Sequence, residues 1–228
     1  MSKILITGAA GFIGSQLAYH LWKNGDEVTL LDNFSYGFDD NLIFEDHDFR
    51  EEIIHGDIRN RELLAYLFKM VGFDYVYHIA GITPLPDCQT DPSQAVEVNV
   101  QGTVNILETA RLYGAKKVIF ASTSAVYENN TDFPSKESHV EPPTLVYPST
   151  KYTAEQFCKV YADCYGMNVT CMRFANVYGP HLDCLRTQPP VVGYMIRQLY
   201  QGKPVELHSD GRQQRDFVYV EDLVRLQG

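Results

Sequence analysis

Two side chains suited to acid–base chemistry stand one helical turn apart in this sequence. Tyr147 and Lys151 form a Tyr-x-x-x-Lys pattern, and a spacing of four residues puts both on the same face of a helix. A phenol has a pKa of about 10, and a neighbouring positive charge favours its ionised form. We therefore expect Tyr147 to exchange a proton with a substrate hydroxyl. The same pattern is also compatible with an ordinary solvated helix face.

Three hydroxyl side chains follow a strand-like run at 117–121. They are Ser122, Thr123 and Ser124, and they stand at the carboxyl end of that run, where open α/β sheets bind ligands. Thr123 or Ser124 is therefore predicted to hydrogen-bond the substrate oxygen that exchanges its proton. The alternative is a polar strand end that takes no part in chemistry.

A glycine-rich segment near the start of the chain predicts a phosphate-binding turn. Gly8, Gly11 and Gly14 are spaced Gly-x-x-Gly-x-x-Gly between an apolar run and an amphipathic segment. Glycines let the backbone approach a pyrophosphate, and the N-terminus of the following helix favours its negative charge. The alternative is a turn with incidental glycines.

Two carboxylates extend this prediction to a dinucleotide. Asp32 ends the second strand-like run, where it can accept hydrogen bonds from an adenosine ribose and repel a 2′-phosphate, which favours NAD over NADP. The segment 33–37 carries no basic residue that NADP would need. Asp57 can accept a hydrogen bond from the adenine amine while Ile58 packs on the ring. Otherwise, Asp32 is a solvated strand end and the Asp57-Ile58 segment a helix-capping loop.

Elements of alternating type must position these residues. Short β-branched runs alternate with amphipathic segments, which predicts an α/β fold with a Rossmann-type, doubly wound parallel sheet. Strands are predicted at 3–7, 27–31, 75–78, 117–121 and 169–173, with a weaker one at 53–55. Apolar residues at helical spacing predict helices within 13–24, 60–71, 96–107 and 154–166, which leaves long loops at 33–50, 81–92 and 128–146.

The composition excludes several classes of protein. Against 19 Lys and Arg stand 29 Asp and Glu, a net charge of −10, so nucleic acid is not an expected partner. No apolar run approaches the roughly 20 residues that span a bilayer, and no signal peptide is evident, so we expect a cytoplasmic protein without membrane contact. The five cysteines predict neither disulfides nor zinc. We expect no metal, and His78 is predicted to be a packed core histidine.

The motifs stand in an order that resembles a known family. Together they are similar to the extended short-chain dehydrogenase/reductases, in particular the NAD-dependent nucleotide-sugar epimerase/dehydratase branch, and the resemblance covers essentially the whole chain. The motifs are the glycine segment 8–14, Asp32, Asp57-Ile58, His78-Ile79-Ala80-Gly81, Asn99, Ser122-Thr123-Ser124, Tyr147-x-x-x-Lys151, the segment 173–180 and Arg215-Asp216-Phe217-Val218.

The resemblance implies a role for each matching residue. The implied catalytic set is Thr123, Tyr147 and Lys151. Cofactor contacts are implied for Gly8, Gly11, Phe12, Ile13 and Gly14 at the pyrophosphate, Asp32 and Asn33 at the ribose, Asp57 and Ile58 at the adenine, and Ala80, Gly81, Asn99, Ser122, Tyr147 and Lys151 along the rest of the cofactor. Substrate contacts are implied for Thr123, Ser124, Tyr147, Asn176 and Arg215.

The resemblance also implies the reaction. Related 4,6-dehydratases carry Asp-Glu directly after the catalytic Thr, and related decarboxylases commonly have a Glu in the second of these places, whereas this chain has Ser124 and Ala125. Elimination then lacks an evident proton carrier. The pattern is most similar to UDP-sugar 4-epimerases, in which the tyrosine takes the 4-hydroxyl proton, NAD carries the C4 hydride, and both return on the other face.

Length sets the domain prediction. The resemblance implies an NAD-binding Rossmann domain at 1–174 and a partial substrate-binding region at 175–228, with 216–222 returning to the Rossmann domain. Family members usually continue further, so we expect the family's C-terminal portion to be incomplete here. Two alternatives stay open: an NAD-binding module with little or no catalysis, and another dehydrogenase or reductase of the family. A homodimer through the helices beginning near Ser93 and Tyr147 is also implied.

Overall fold

Six short apolar runs form one parallel sheet in the computed structural model, which describes residues 1–184, 186, 188–207 and 210–227. The strand order is β3-β2-β1-β4-β5-β6. The strands are β1 (Lys3–Thr7), β2 (Glu27–Asp32), β3 (Ile53–His55), β4 (Tyr75–His78), β5 (Lys117–Thr123) and β6 (Val169–Phe174). The predicted doubly wound Rossmann-type sheet is confirmed. Because the order reverses between β1 and β4, a crevice opens at the carboxyl ends of these strands.

Helices cover both faces of this sheet. They are α1 (Phe12–Lys23), α2 (Arg61–Val71), α3 (Leu85–Thr90), α4 (Pro92–Val96), α5 (Thr103–Leu112), α6 (Val146–Tyr165), α7 (Val191–Tyr200) and α8 (Val220–Gln227). A π-helical segment, Glu97–Gly102, joins α4 to α5. None of the helices in the described part of the chain is long and apolar enough to cross a bilayer.

One predicted loop is wrong in part. The segment 81–92 was expected to lack regular structure, but it contains α3 at Leu85–Thr90. Pro86 stands in the first turn of this helix, where proline is tolerated because the N–H groups there have no partner within the helix. The Pro-Leu-Pro pattern therefore starts a helix here instead of preventing one.

Two apolar clusters hold the layers together. On one side of the sheet, Leu64, Phe68, Ile106 and Leu107 are fully buried or nearly so, in one cluster with Ala154 of α6. Each fully buried aliphatic or aromatic side chain of this kind contributes about 2 kcal/mol through the hydrophobic effect. The helix that carries Tyr147 and Lys151 is thereby packed against the sheet.

The other cluster joins the end of the described chain to its beginning. Val220, Leu223 and Val224 are buried in one cluster with Leu17 and Leu21 of α1. Just before α8, strand β8 (Phe217–Tyr219) pairs in parallel with β7 (Asn176–Tyr178). Within the predicted region 175–228, residues 185, 187, 208, 209 and 228 lie outside the described residues.

Candidate functional site

One cavity opens at the carboxyl edge of the sheet and gathers most of the predicted site. It extends from the β2 end to the start of α6. The predicted residues that line it are Gly8, Gly11, Phe12, Ile13, Gly14, Asp32, Asn33, Asp57, Ile58, Ala80, Gly81, Ser122, Thr123, Tyr147 and Lys151. Residues far apart in the sequence are thus brought to a single wall, because parallel strands end at the same edge.

The glycine segment forms a tight turn that leaves a helix end facing the cavity. Gly8 adopts a φ of +72°, and a Cβ at Gly14 would collide with the Gly8 carbonyl oxygen. Among the described residues, no side chain caps α1 at Gly11, and its first turn holds no acidic residue. The N-terminal N–H groups and the helix dipole therefore favour an anion here.

Asp32 is fixed by the same turn. Its carboxylate accepts hydrogen bonds from the Ala10 N–H at 3.0 Å and from the Phe34 N–H at 2.8 Å. Burial raises the pKa of this carboxyl, although these backbone hydrogen bonds act in the opposite direction. The group is oriented toward a cavity whose chemistry fits the ribose hydroxyls of a dinucleotide.

Arg59 is a cavity residue that sequence reasoning missed. It lies at the end of the cavity that holds Asp32, and its guanidinium bonds the Asp57 carboxylate at 2.8 Å and the Glu97 carboxylate at 3.1 Å. The Arg59 hydrogen bonds hold the pKa of Asp57 low, at about 2. The only sequence signal was the short spacing from Asp57, whereas the pairing with Glu97 depends on the fold.

Tyr147 and Thr123 meet at the opposite end of the cavity. The Thr123 hydroxyl acts to lower the pKa of the phenol. Burial outweighs this effect and raises the pKa of Tyr147 to about 12. The expected lowering of this pKa by Lys151 is therefore wrong for the protein alone, because desolvation disfavours the charged phenolate.

Lys151 is buried, and its ammonium bonds the backbone of β5. Its Nζ donates a hydrogen bond to the Ala121 carbonyl at 2.9 Å and lies 4.8 Å from the centre of the Phe120 ring. Burial lowers the pKa of this ammonium to about 8. Lys151 is thus a positive charge at neutral pH that is anchored to β5 and lines the cavity.

Four predicted site residues do not line this cavity. Asn99 is buried and holds the backbone after β4, because its amide accepts from the Ile82 N–H at 2.8 Å and donates to the Ile82 carbonyl at 3.0 Å. Ser124 begins a 3₁₀ turn directly after β5. Asn176 and Arg215 are exposed, and each donates to a nearby carbonyl, that of Asp216 or Gln214.

The buried carboxylate of Glu155, near the end of the cavity that holds Tyr147, was also not predicted from the sequence. Glu155 accepts a hydrogen bond from the Ser122 hydroxyl and pairs with Arg173 at 2.7 Å. Arg173 in turn donates to the Tyr127 hydroxyl at 2.6 Å. Glu155 stands one helical turn beyond Lys151, and this spacing was the one signal in the sequence that could have revealed it.

His78 is a core histidine, as predicted. It is 1% exposed and lies between Thr7 and Thr103, with ring-nitrogen to hydroxyl distances of 2.7 and 3.0 Å. Burial lowers the pKa of His78 to about 3, so the ring is neutral. No cluster of three His, Cys, Asp or Glu residues in the described ranges is arranged to hold a metal ion.

A family model decides the classification of the chain. Residues 4–227 match the NAD dependent epimerase/dehydratase family. The chain belongs to this family. The resemblance predicted from its motifs is therefore confirmed.

Curated relatives of this epimerase/dehydratase chain carry sugar-nucleotide names. UDP-glucuronate 4-epimerase 4 of Arabidopsis thaliana is 33% identical over 97% of this chain and 52% of the relative. A protein named putative UDP-glucose 4-epimerase from Methanocaldococcus jannaschii is 34% identical over 97% of this chain and 71% of the relative. The chain spans about half the length of the Arabidopsis proteins it matches, 50–53%.

Solved structures of the family share the fold. The UDP-glucose 4-epimerase of Thermotoga maritima, determined with UDP-glucose, has a TM-score of 0.90 and 34% identity, covering 98% of this chain and 71% of that one. The UDP-glucose 4-epimerase of Thermus thermophilus, determined with NAD, has a TM-score of 0.86 and 31% identity, covering 99% and 73%.

Proposed function

We propose that this family member is an NAD-dependent UDP-sugar 4-epimerase. The observation that carries the proposal is that Tyr147, Thr123 and Lys151 line the same cavity as Gly11 and Asp32. A dinucleotide-binding turn and an acid–base pair thus share one wall. The names of the two curated relatives favour 4-epimerisation of UDP-glucose or UDP-glucuronate over other reactions of the family.

The residues at the turn fit NAD. The uncapped N-terminus of α1 suits the pyrophosphate, and the Asp32 carboxylate suits unmodified ribose hydroxyls. A 2′-phosphate would meet this carboxylate, while the nearby cation Arg59 is already paired with Asp57 and Glu97. When bound, NAD supplies a reversible hydride acceptor for the sugar C4.

The residues at the other end supply the proton chemistry. Tyr147 takes the proton of the sugar 4-hydroxyl at its phenolic oxygen and returns it after the sugar has turned over. Thr123 hydrogen-bonds the same sugar oxygen and holds it beside the phenol. Lys151, fixed by the Ala121 carbonyl, supplies positive charge and hydrogen bonds for the nicotinamide ribose. Such positioned proton transfer contributes about 10²–10⁴-fold to rate.

The residues after Thr123 support epimerisation over dehydration. Ser124 and Ala125 occupy the first turn after β5, where an acid and a base for elimination would stand by resemblance. Without carboxylates there, removal of a C5 proton and loss of the 6-hydroxyl lack a proton carrier.

A turnover assay tests the proposal directly. Purified protein with NAD is incubated separately with UDP-glucose, UDP-N-acetylglucosamine and UDP-glucuronate, and the products are separated chromatographically. At least one substrate is expected to be converted to its 4-epimer. If NAD binds and none of the three is turned over, the proposal fails.

A specific observation favours a second candidate, an NAD-binding module with little or no catalysis. Asn176 and Arg215, the implied diphosphate contacts, are exposed and do not line the cavity. Calorimetry with NAD, combined with the turnover assay, separates the candidates, because a binding module releases heat with NAD but forms no product. A third candidate is a dehydrogenase or reductase whose substrate carries no nucleotide. UDP is not expected to inhibit such an enzyme, so competition with UDP tests this candidate.

The chain is further proposed to form a homodimer. Val96 of α4 and Phe157 and Val160 of α6 are large apolar side chains with 49%, 38% and 45% exposure. They stand on the helices that family resemblance assigns to the dimer. Light scattering is expected to give twice the 25.9 kDa mass of the chain, and a monomer at micromolar concentration would contradict this.

A further inference from the structure

The face of β6 that packs against α6 carries two polar side chains, Cys171 and Arg173. Alternate residues of a strand point to opposite faces of a sheet. Met172 and Phe174 pack with the cluster on the α1 side, whereas Val169 packs with the cluster that contains α6. Cys171 and Arg173 share the face of Val169 and therefore also point toward α6.

The Glu155–Arg173 ion pair shows which residues of α6 lie opposite which residues of β6. Because α6 connects two parallel strands, it runs antiparallel to both of them. One helical turn beyond Glu155 stands Cys158, and two strand residues before Arg173 stands Cys171. The two cysteines are therefore brought opposite each other. Both cysteines line a small cavity between α6 and β6.

The two thiols differ in their surroundings. Cys158 is 1% exposed, whereas Cys171 is exposed on β6, the last strand of the sheet. The neighbouring Cys158 thiol and the positive charge of Arg173 lower the pKa of Cys171, while the pKa of Cys158 is raised. A thiolate that is stabilised by a cation and open to solvent is the attacking partner in thiol chemistry.

We propose that Cys158 and Cys171 form a reversible dithiol–disulfide site that hydrogen peroxide oxidises. The site lies outside the cavity that holds Tyr147 and links the catalytic helix to the edge of the sheet. It does not depend on the proposed epimerase activity.

The oxidation proceeds in two balanced steps. The Cys171 thiolate attacks one oxygen of hydrogen peroxide, the O–O bond breaks, and hydroxide leaves, so that Cys171 becomes a sulfenic acid. The Cys158 sulfur then attacks the Cys171 sulfur, the S–O bond breaks, and the second hydroxide leaves. The protons of the two thiols convert both hydroxides to water. A dithiol reductant reverses the oxidation by exchange.

The disulfide fixes α6 to β6. The two sulfur atoms come to about 2.05 Å, which is closer than any contact between thiols. The closed loop between Cys158 and Cys171 is short, and closure of a loop of this size raises Tm by about 5–10 °C for a chain of this length.

Peptide mapping after peroxide treatment tests the proposal. The full chain is reduced, exposed to a small excess of hydrogen peroxide, alkylated and digested, and Tm is measured in parallel. We expect a disulfide between the peptides of Cys158 and Cys171, a fall in titratable thiols from five by two, and a higher Tm. Dithiothreitol is expected to restore both values.

Three variants separate the roles of the thiols. Cys158→Ser is expected to stop at a sulfenic acid on Cys171 that dimedone traps. Cys171→Ser is expected to form neither product. Cys164→Ser removes an exposed thiol of the same helix and is expected to behave like the unmodified chain.

Several outcomes would overturn the proposal. They are a disulfide that involves Cys164 or Cys184, a disulfide between two chains, and oxidation elsewhere while Cys171 still reacts with the alkylating reagent. Dimedone labelling of another cysteine before Cys171 in the Cys158→Ser variant would overturn it as well.

Discussion

Tyr147 and Lys151 are both held in environments that disfavour their charged forms. Burial raises the pKa of the phenol to about 12 and lowers that of the ammonium to about 8. The chain by itself therefore keeps Tyr147 neutral at pH 7. A positive charge placed beside the phenol has to lower its pKa before it can act as a base. The nicotinamide ring of bound NAD carries such a charge.

Tyr147→Phe tests the proposed base. The substitution removes the acid–base group but keeps the ring, so we expect turnover of a UDP-sugar to fall about 10²–10⁴-fold. NAD affinity, measured by calorimetry, is expected to change less than about threefold. Loss of one hydrogen bond of about 0.7 kcal/mol between the phenol and the cofactor would account for a change of that size. Tyr152→Phe, on the same helix, is the control and should retain turnover. A comparable loss of NAD binding would mean that Tyr147 is assigned to the wrong role.

Lys151→Met tests the burial of the ammonium through stability. Burial lowers the pKa of Lys151 from 10.5 to about 8. At pH 7 the charged ammonium therefore destabilises the folded chain by about 3 kcal/mol relative to a neutral group at this position. The hydrogen bond to Ala121, which the variant loses, reduces this difference. Without cofactor, we expect the variant to be about 2 kcal/mol more stable at pH 7 in urea unfolding.

The pH dependence has a defined sign. Between about pH 8 and 10.5 the unfolded chain binds more protons at this lysine than the folded chain, so the stability contributed by Lys151 rises with pH. The advantage of Lys151→Met should therefore shrink as the pH approaches 10. Lys159→Met, at an exposed site on the same helix, is the control. A difference that is constant with pH would contradict the assignment.

The contact between α6 and β6 rests on a buried ion pair as well as on apolar packing. The Glu155 side chain is 6% exposed and that of Arg173 is 20% exposed. Arg173 also donates to the Glu137 carbonyl at 2.9 Å, which ties the loop before α6 to the edge strand. The Arg173 guanidinium thus connects β6, α6 and the loop before α6, near the end of the cavity that holds Tyr147.

Arg173→Met should destabilise the chain strongly. It leaves the Glu155 carboxylate buried without its partner, and we expect a loss of about 3 kcal/mol in urea unfolding. The double variant Glu155→Leu with Arg173→Met is expected to recover most of this loss, because no unpaired charge remains. Asp163→Ala, which breaks the exposed pair with Lys159 on the same helix, should change stability by less than about 0.5 kcal/mol. Equal losses in both pairs would contradict the burial argument.

The whole molecule brings the two ends of the cavity together by its topology. The reversal of strand order between β1 and β4 leaves a crevice at their carboxyl ends. The glycine turn follows β1, and the hydroxyl segment ends β5, two strands away. A ligand that fills the cavity would contact the carboxyl ends of all six strands of the described sheet, so its binding should be linked to global stability.

NAD is expected to raise the Tm of the whole chain. At about 100 times its dissociation constant, a ligand that binds only the folded state adds about 2.7 kcal/mol, which corresponds to about 5–10 °C for a chain of this length. NADP at the same concentration is expected to give a much smaller shift, because its 2′-phosphate meets the Asp32 carboxylate. Thermal shift measurements with both cofactors check this, and equal shifts would refute the assignment of Asp32.

The sequence by itself determined the sheet and most of the cavity wall. The strands at 3–7, 53–55 and 75–78 have the predicted bounds, because burial on both faces of a sheet selects continuous apolar runs that can be read locally. The glycine turn and Asp32 were readable for a similar reason, since each follows directly from a strand end. Helix α3 was missed, because a proline in a first turn resembles a loop.

Only the tertiary structure decided which charged groups meet. The ion pairs of Arg59 with Glu97 and of Glu155 with Arg173 join residues from different elements, and Cys158 and Cys171 likewise line one small cavity from different elements. The raised pKa of Tyr147 likewise comes from burial that no neighbour in the sequence reveals. Periodicity reports which face of an element is buried, but the partner across that face depends on how elements distant along the chain pack.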